Sequence, residues 1–455
     1  MPETAPHPRL PVRVPLVNED WGIWKRLQMV RANVLQMIPE RATSEPIASG
    51  TVGKRWHMIM DPVGVREILL DRLDQYPKSI VTKNLLRPAI GESLFIAEGA
   101  HWRWQRRTAA PVFSHRNMMN LAPIMTHAAE RASERVAATA GSRAVNMLDE
   151  MITTTFDVIA DVAFSGDETF DRDGVHNAIN DYISEVGKIS LFDILGAPDW
   201  VPRPSRVMSG KVLRDMKSVA DKTIADRAAR DRDGVPDLLD LLLKGEDPKS
   251  GRKMTTPELR DNLLTFIVAG HETTALSLAW SLYLVAFDQT VQDRARAEAQ
   301  GVLKGRAATG DDVANLPFIR QIIDEALRLY PPAGLLSRTA LANDTLCGRD
   351  IRKGDTCIVP IYALHRSRLL WDDPDAFRPE RFEDRKSVDR YAYLPFGDGP
   401  RICIGASFAL QEAVIILATL LSRFKFTPVT GRDPEPVMII TLRPQGGVWL
   451  MAEAA

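Results

Sequence analysis

The stretch Phe396-Gly397-Asp398-Gly399-Pro400-Arg401-Ile402-Cys403-Ile404-Gly405 decides how the rest of this 455-residue chain is read. Gly397 and Gly399 let the backbone turn tightly and lie close to a flat ligand. Cys403 stands at the start of an apolar run, residues 404–423, whose three- and four-residue spacing predicts a helix. A helix N-terminus favours a thiolate through its free N–H groups and its dipole. Arg401 is placed nearby to bind a carboxylate. A lone cysteine in an apolar segment is most often a small buried hydrophobe, and glycines beside an arginine are common turn material. Neither reading explains why all the pieces coincide in order.

Upstream, residues 371–400 are rich in Asp, Pro and Arg and read as a long loop. Residues 335–366 alternate short β-prone segments (Thr345-Leu346-Cys347, Thr356-Cys357-Ile358-Val359) with turn residues (Gly348-Arg349-Asp350, Lys353-Gly354-Asp355). From about Trp102 to Tyr330 apolar spacing predicts helices, notably over 121–140, 146–164, 205–230 and 263–287. Pro198, Pro202 and Pro204 break the chain before the third, and residues 231–234 end it. Thr255, Pro257 and Glu258 read as a capping box, with proline in the first turn, ahead of the fourth. Residues 1–20 form a proline-punctuated extended arm, and residues around Pro444-Gln445-Gly446-Gly447 a strand-like pair. No Gly/Ser linker or internal repeat divides the chain. The expectation is one mainly α domain over residues 1–455 with a small β portion: helix-rich over about 100–330 and 404–423, β-containing over about 335–366 and 430–452.

Three further segments carry polar groups that need a reason. Glu325 and Arg328 are three apart on a predicted helix, so their side chains can meet. Pro331-Pro332 end that helix, and Phe377-Arg378-Pro379-Glu380-Arg381-Phe382 follows later. Residues 269–274, Ala-Gly-His-Glu-Thr-Thr, interrupt the longest apolar helix. A buried carboxylate and hydroxyl cost several kcal/mol if unpaired, although a threonine can bond the carbonyl one turn back. A zinc-protease helix is excluded, because position 275 is Ala275 where a second His is needed. Trp102 and Arg106 share one face of the helix containing His101-Trp102-Arg103-Trp104-Gln105-Arg106-Arg107, a pattern that a solvated basic face would also give.

A thiolate beside an apolar helix, approached by glycines, suits the axial ligand of a haem iron. Residues 396–405 match the signature Phe-Gly-x-Gly-x-Arg-x-Cys-x-Gly at every fixed position, and on this the chain resembles the cytochrome P450 superfamily. Glu325 and Arg328 with Arg381 resemble that family's structural triad, Ala269 to Thr274 its oxygen-binding motif, and Trp102 with Arg106 its Trp-x-x-x-Arg motif. The resemblance implies the P450 fold, with haem b buried between the long central helix and the Cys-bearing loop and helix. It implies Cys403 as the iron ligand, Phe396 packed near the thiolate, and Trp102, Arg106, Arg338 and Arg401 at the propionates. Ala269 and Gly270 would border the dioxygen groove, with Glu272 and Thr273 managing protons, and Glu325, Arg328 and Arg381 would hold the core. A hydrophobic pocket is expected from Leu85, Leu86, Ile267, Leu335, Leu336 and Ile440, with Ile80, Leu191, Phe192 and Leu195 near it.

The implied activity is a haem-thiolate monooxygenase that inserts one atom of dioxygen into a C–H bond of a hydrophobic small molecule. A peroxide-driven peroxygenase and a non-catalytic haem sensor or electron carrier are the alternatives; an intact Glu272-Thr273 pair argues against the first, and a distal acid–alcohol pair is not needed by the second. Lys plus Arg (58) nearly cancel Asp plus Glu (59), which gives no pointer to nucleic acid. Three cysteines without a CxxC point to a reducing cytoplasm rather than a disulfide scaffold. No secretory signal or membrane anchor is read at the N-terminus. Only 52 residues follow Cys403, and no flavin or nicotinamide fingerprint occurs, so electrons are expected from a separate ferredoxin and ferredoxin reductase. Arg103 and Arg107 are candidates to meet that ferredoxin. A monomer is expected.

Overall fold

In the computed structural model, which describes residues 10–17, 29, 32–52, 54–164, 210–229 and 236–455, apolar periodicity becomes a helical body. Its principal helices are Ile80–Ile90 (α1), Gly99–Ala109 (α2), His115–Ala137 (α3), Met147–Phe164 (α4), Gly210–Ala228 (α5), Leu238–Lys244 (α6), Thr256–Phe287 (α7), Gln289–Leu303 (α8), Pro317–Leu329 (α9) and Ala406–Arg423 (α10). α7 packs against α4, α5, α9 and α10 and is buried on nearly every side, so it has no polar stripe. Its start follows the capping-box expectation: the Thr255 N–H donates to Glu258 Oε2 at 2.9 Å, with Pro257 in the first turn. Asp288 ends it and caps α8, accepting from the N–H groups of Thr290 and Val291 at 3.0 and 3.1 Å.

Helix boundaries move by a few residues. α3 begins at His115 rather than 121, because Ser114 supplies an extended N-cap (φ −65°, ψ 153°) and the first turn is largely polar, invisible to apolar spacing. α10 begins at Ala406 rather than 404, with Ile404 and Gly405 in the turn that leads from Cys403. This helix is the one among the described residues long and apolar enough to cross a membrane, but it is 67% buried, packed on α3, α7, α8 and α9.

The β portion is small. Ile47–Val52 (β1), Lys54–Ile59 (β2), Thr356–Val359 (β7) and Leu336–Thr339 (β4) form a sheet in the order β1-β2-β7-β4, with β2 and β7 parallel. Val145–Asn146 (β3), Trp449–Ala454 (β11) and Phe424–Pro428 (β8) form a second, and Asp344–Leu346 (β5) with Arg349–Ile351 (β6) a hairpin. Glu435–Met438 (β9) and Leu442–Gln445 (β10) make another hairpin; Gly446 and Gly447, with φ of 85° and 83°, then turn the chain into β11. The described part of the N-terminal arm is extended and stitched to the core: the Val12 and Val14 N–H groups donate to the hydroxyls of Tyr283 and Tyr362 at 3.1 and 2.9 Å. Leu191, Phe192 and Leu195, the proline break at 198–204 and the outer ends of the helix read over 205–230 lie outside the described residues.

Glu325 and Arg328 meet on α9 as their spacing implied. Arg328 Nε and Nη2 donate to Glu325 Oε2 and Oε1 at 2.7 and 2.8 Å, and both residues are fully buried. Arg328 also donates to the carbonyls of His365 (2.8 Å), Pro374 (2.6 Å) and Ala376 (2.9 Å). Arg381 Nε reaches Glu325 Oε1 at 3.3 Å, and the Arg378 N–H donates to the same oxygen at 2.9 Å. One ion pair thus fastens α9 to the loop that leads to Cys403, and every buried charge in it is bonded. His365 joins from below: burial lowers it to about 3, so it is neutral, and its Nε2 accepts the Leu394 N–H at 2.8 Å.

Candidate active site

Between α7 and the Cys403 loop lies a cavity of about 1480 Å³. The loop presents its sulfur to this space through a constrained backbone. Gly399 has φ of 70°, and a Cβ there would meet the Leu69 carbonyl oxygen at 2.3 Å, so only glycine fits. Gly397 also has positive φ (68°), the Asp398 carboxylate accepts the Gly399 N–H, and the Cys403 N–H donates to the Phe396 carbonyl at 2.9 Å. Burial pushes the Cys403 thiol up, opposed by the Gly405 N–H and by the charge of Arg106, the two features that favour a thiolate ligand. The other cysteines are ordinary: burial first raises Cys347 to about 11 and Cys357 to about 12.

A cationic cluster lines one flank. A backbone bridge pairs Lys78 with Arg338, and Trp102, Arg106 and Arg401 complete the wall. The Arg401 guanidinium lies 4.3 Å over the Trp102 ring, donates to the Ala97 carbonyl at 3.0 Å, and pairs with Glu98. Burial, then the charge of Arg401, lowers Arg338 to about 10; its Nε is buried with no hydrogen-bond partner among the described residues. Burial also lowers Arg106 and Arg401, and pushes Lys78 far down with help from Arg338 and Arg401. Among the described residues Arg106 has no ion-pair partner, and Glu98 is the one carboxylate paired to the cluster. Four cations on one flank, Arg338 buried and Lys78, Arg106 and Arg401 partly so, with an orphaned donor fit an anionic group, and a haem with its propionates supplies one beside the Cys403 sulfur.

The opposite wall is α7. In this buried helix Ala269 is exposed to the cavity and Gly270 and Thr273 half-exposed. The helix runs unbroken through them, and the Thr273 hydroxyl donates to the Ala269 carbonyl at 2.7 Å, which leaves its lone pairs to accept. Glu272 also borders the cavity, bonded through Oε1 to Thr441 and Arg443. Leu85, Leu86, Leu335, Leu336 and Ile440 line it as expected, joined by Phe113 and Phe266. Ile267 does not: it is buried on the adjacent face of α7, above His271, which packs on Phe156 of α4. At 100° per residue Phe266, Ala269, Gly270 and Thr273 share the open face and Ile267 falls outside it.

Arg103 and Arg107 each have a carboxylate partner within the chain, Asp74 (2.7 Å) and Asp247 (2.6 Å), and both arginine side chains keep exposed surface. Lys78, Glu98, Thr441, Arg443 and Glu412 were missed from sequence. Glu412 sits fully buried in apolar α10; burial raises its carboxyl far above the usual range, a hydrogen bond with Thr274 opposing this. A carboxylate inside an apolar helical run was a legible signal, the one that singled out Glu272.

A model of the family described as Cytochrome P450 matches residues 21–451. The chain belongs to the cytochrome P450 family. Cyclooctat-9-en-7-ol 5-monooxygenase of Streptomyces melanosporofaciens is 30% identical over 425 residues, covering 92% of this chain and 90% of the relative. Putative cytochrome P450 132 of Mycobacterium bovis is 31% identical over 414 residues, 87% of each chain. Bifunctional cytochrome P450/NADPH--P450 reductase 2 of Bacillus subtilis is 32% identical over 361 residues, 78% of this chain and 34% of the relative. The protein is a P450 monooxygenase that uses haem and dioxygen, with the mainly α fold of the family.

Proposed function

We propose that this P450 oxidises a C–H bond of a hydrophobic small molecule, using electrons from a separate ferredoxin and its reductase. The observation that carries the reading is convergence on one cavity: the Cys403 sulfur, a flank of cations, and the open Ala269–Thr273 face of α7. Cys403 would hold the iron, while Arg106, Arg338, Arg401 and Trp102, with Lys78 beside them, would hold the propionates. When bound, the haem supplies the dioxygen chemistry, with thiolate ligation favouring O–O cleavage.

The chain's own residues bind, orient and move protons. Thr273 keeps its hydroxyl oriented by the Ala269 carbonyl and offers lone pairs to the cavity. Glu272 borders the same space with a carboxylate that can pass a proton to the Thr273 side. The apolar walls from Leu85, Leu86, Leu335, Leu336 and Ile440 exclude water and favour a hydrophobic substrate. The name of one relative gives cyclooctat-9-en-7-ol, an unsaturated alcohol, which makes hydrophobic unsaturated alcohols a first class to try. A ferredoxin is proposed by likeness to bacterial family members, and the unpaired thiols of Cys347, Cys357 and Cys403 suit the cytoplasm.

The test is a spectral titration of the haem-loaded protein with a library of terpenoids, fatty acids, steroids and aromatics, followed by turnover with a surrogate ferredoxin system. A low- to high-spin shift with one hydrophobic class, and an oxygenated product from it, is expected. Spin shifts with no oxygenated product from any ligand would point to a carrier or sensor.

A further inference from the structure

We propose that the β9–β10 hairpin belongs to the proton machinery, with Arg443 and Thr441 as positioning residues that set the orientation of Glu272. The inference rests on the proton role given to Glu272 above. Glu272 is almost fully buried, and both protein donors to it bind one oxygen: the Thr441 hydroxyl reaches Oε1 at 2.8 Å and Arg443 Nε reaches it at 2.6 Å. Oε2 has no protein donor among the described residues, and the residue borders the cavity. A carboxylate held by two donors on one oxygen has a fixed torsion, and its other oxygen keeps its lone pairs for a water or proton partner.

The hairpin is a firm mount for those donors. Trp280 Nε1, on α7, donates to the Leu442 carbonyl at 3.1 Å, and the Leu442 N–H donates to the Pro332 carbonyl at 3.0 Å. The other strand is clamped by Asn33, whose Nδ2 donates to the Pro436 carbonyl at 2.9 Å and whose Oδ1 accepts the Met438 N–H at 3.1 Å. The turn between the strands, Ile439 and Ile440, lines the cavity beside Thr441. A substrate packed on those isoleucines touches the element that holds Glu272, so cavity occupancy and acid orientation share one hairpin. The Arg443 side chain is 37% exposed, so removing it opens no core cavity; its cost is that of leaving the Glu272 carboxylate without a cation, which the double variant with Glu272→Gln removes.

The experiment compares the haem-loaded wild type with Arg443→Gln, Arg443→Lys, Glu272→Gln and the Arg443→Gln/Glu272→Gln double variant. Reduced carbon monoxide spectra first check that the thiolate site is unchanged. Urea midpoints of the four-member cycle through Arg443→Gln and Glu272→Gln test the contact: the two substitutions are expected to be non-additive. Oxygen consumption with a surrogate ferredoxin system, in water and in heavy water without added substrate, tests the role. A displaced acid costs up to roughly 100-fold, so Arg443→Gln is expected to slow consumption about 10-fold and to shift the solvent isotope ratio as Glu272→Gln does. Arg443→Lys should retain most of the wild-type ratio, and the double variant should match Glu272→Gln. If Glu272→Gln changes the isotope ratio and Arg443→Gln does not, or if the midpoints add, the hairpin proposal is overturned while the role of Glu272 stands. If Glu272→Gln itself changes nothing, both fall.

Discussion

Glu325→Ala probes the ion pair on which the haem-side core hangs. Glu325 receives four donors: Arg328 twice (2.7 and 2.8 Å), the Arg378 N–H (2.9 Å) and Arg381 (3.3 Å). The substitution removes all of them and strands a guanidinium with no exposed surface. Breaking a buried pair by deleting one partner costs about 3–5 kcal/mol. Arg328 keeps the carbonyls of His365, Pro374 and Ala376, so the loss should lie near the lower end, ~3 kcal/mol. That is a large fraction of the roughly 5–15 kcal/mol that keeps a domain folded. Glu325→Gln retains acceptor oxygen for Arg378 and one donor of Arg328, and should cost about half as much, on the order of a charge-assisted hydrogen bond at 1.5–3 kcal/mol. Urea unfolding followed by tryptophan fluorescence is the assay; Trp371, 5.2 Å from the Arg328 guanidinium, is one of the nine tryptophans that contribute. Haem content measured in parallel should fall with stability. A Glu325→Ala protein within about 0.5 kcal/mol of wild type, the range of neutral surface changes, and fully loaded with haem would refute the reasoning.

Three other outcomes are expected. Thr273→Ala removes the half-exposed hydroxyl beside Ala269 and Gly270 on the cavity face of α7 and should raise peroxide release relative to product once a substrate is in hand; equal coupling in both proteins would end its proton role. Arg338→Met deletes a buried cation with an orphaned Nε, and loss of a charge-assisted bond of about 1.5–3 kcal/mol should speed haem transfer to a scavenger apoprotein roughly 10- to 100-fold. Glu412→Gln should alter the pH dependence of stability. The folded-state carboxyl is raised far above its ordinary 4.5, so the unfolded chain ionises first and wild-type stability falls as pH rises past that value, by up to about 1.4 kcal/mol per pH unit. The glutamine variant lacks this loss, and its stability relative to wild type should rise with pH in urea melts; parallel curves would show that Glu412 does not titrate this way.

The parts of this enzyme readable from sequence are those whose chemistry is local. The loop at 396–405 shows its glycines and cysteine within ten residues, and Glu325 with Arg328 lie one helical turn apart. Long α7 was readable because its hydrophobicity is continuous and its capping box adjacent. What escaped is what tertiary contact creates. Glu98 finds Arg401 across 303 positions and Arg443 finds Glu272 across 171, and no periodicity reports such pairs. The same blindness hid the partners of Arg103 and Arg107, since Asp74 and Asp247 approach them only in the fold. Ile267 shows a finer limit: apolar spacing marks a helix as buried without telling which face meets protein and which meets the cavity.

The central claim is that Cys403 delivers its thiolate to a haem iron in this cavity. The most direct measurement is the reduced carbon monoxide spectrum of the wild type beside Cys403→His, each reconstituted with haem. The wild type should show the long-wavelength Soret band of a thiolate-ligated haem, and the variant should lose it while still binding haem between α7 and the arginines. A thiolate-type band that survives in Cys403→His would place the ligand elsewhere and contradict the account.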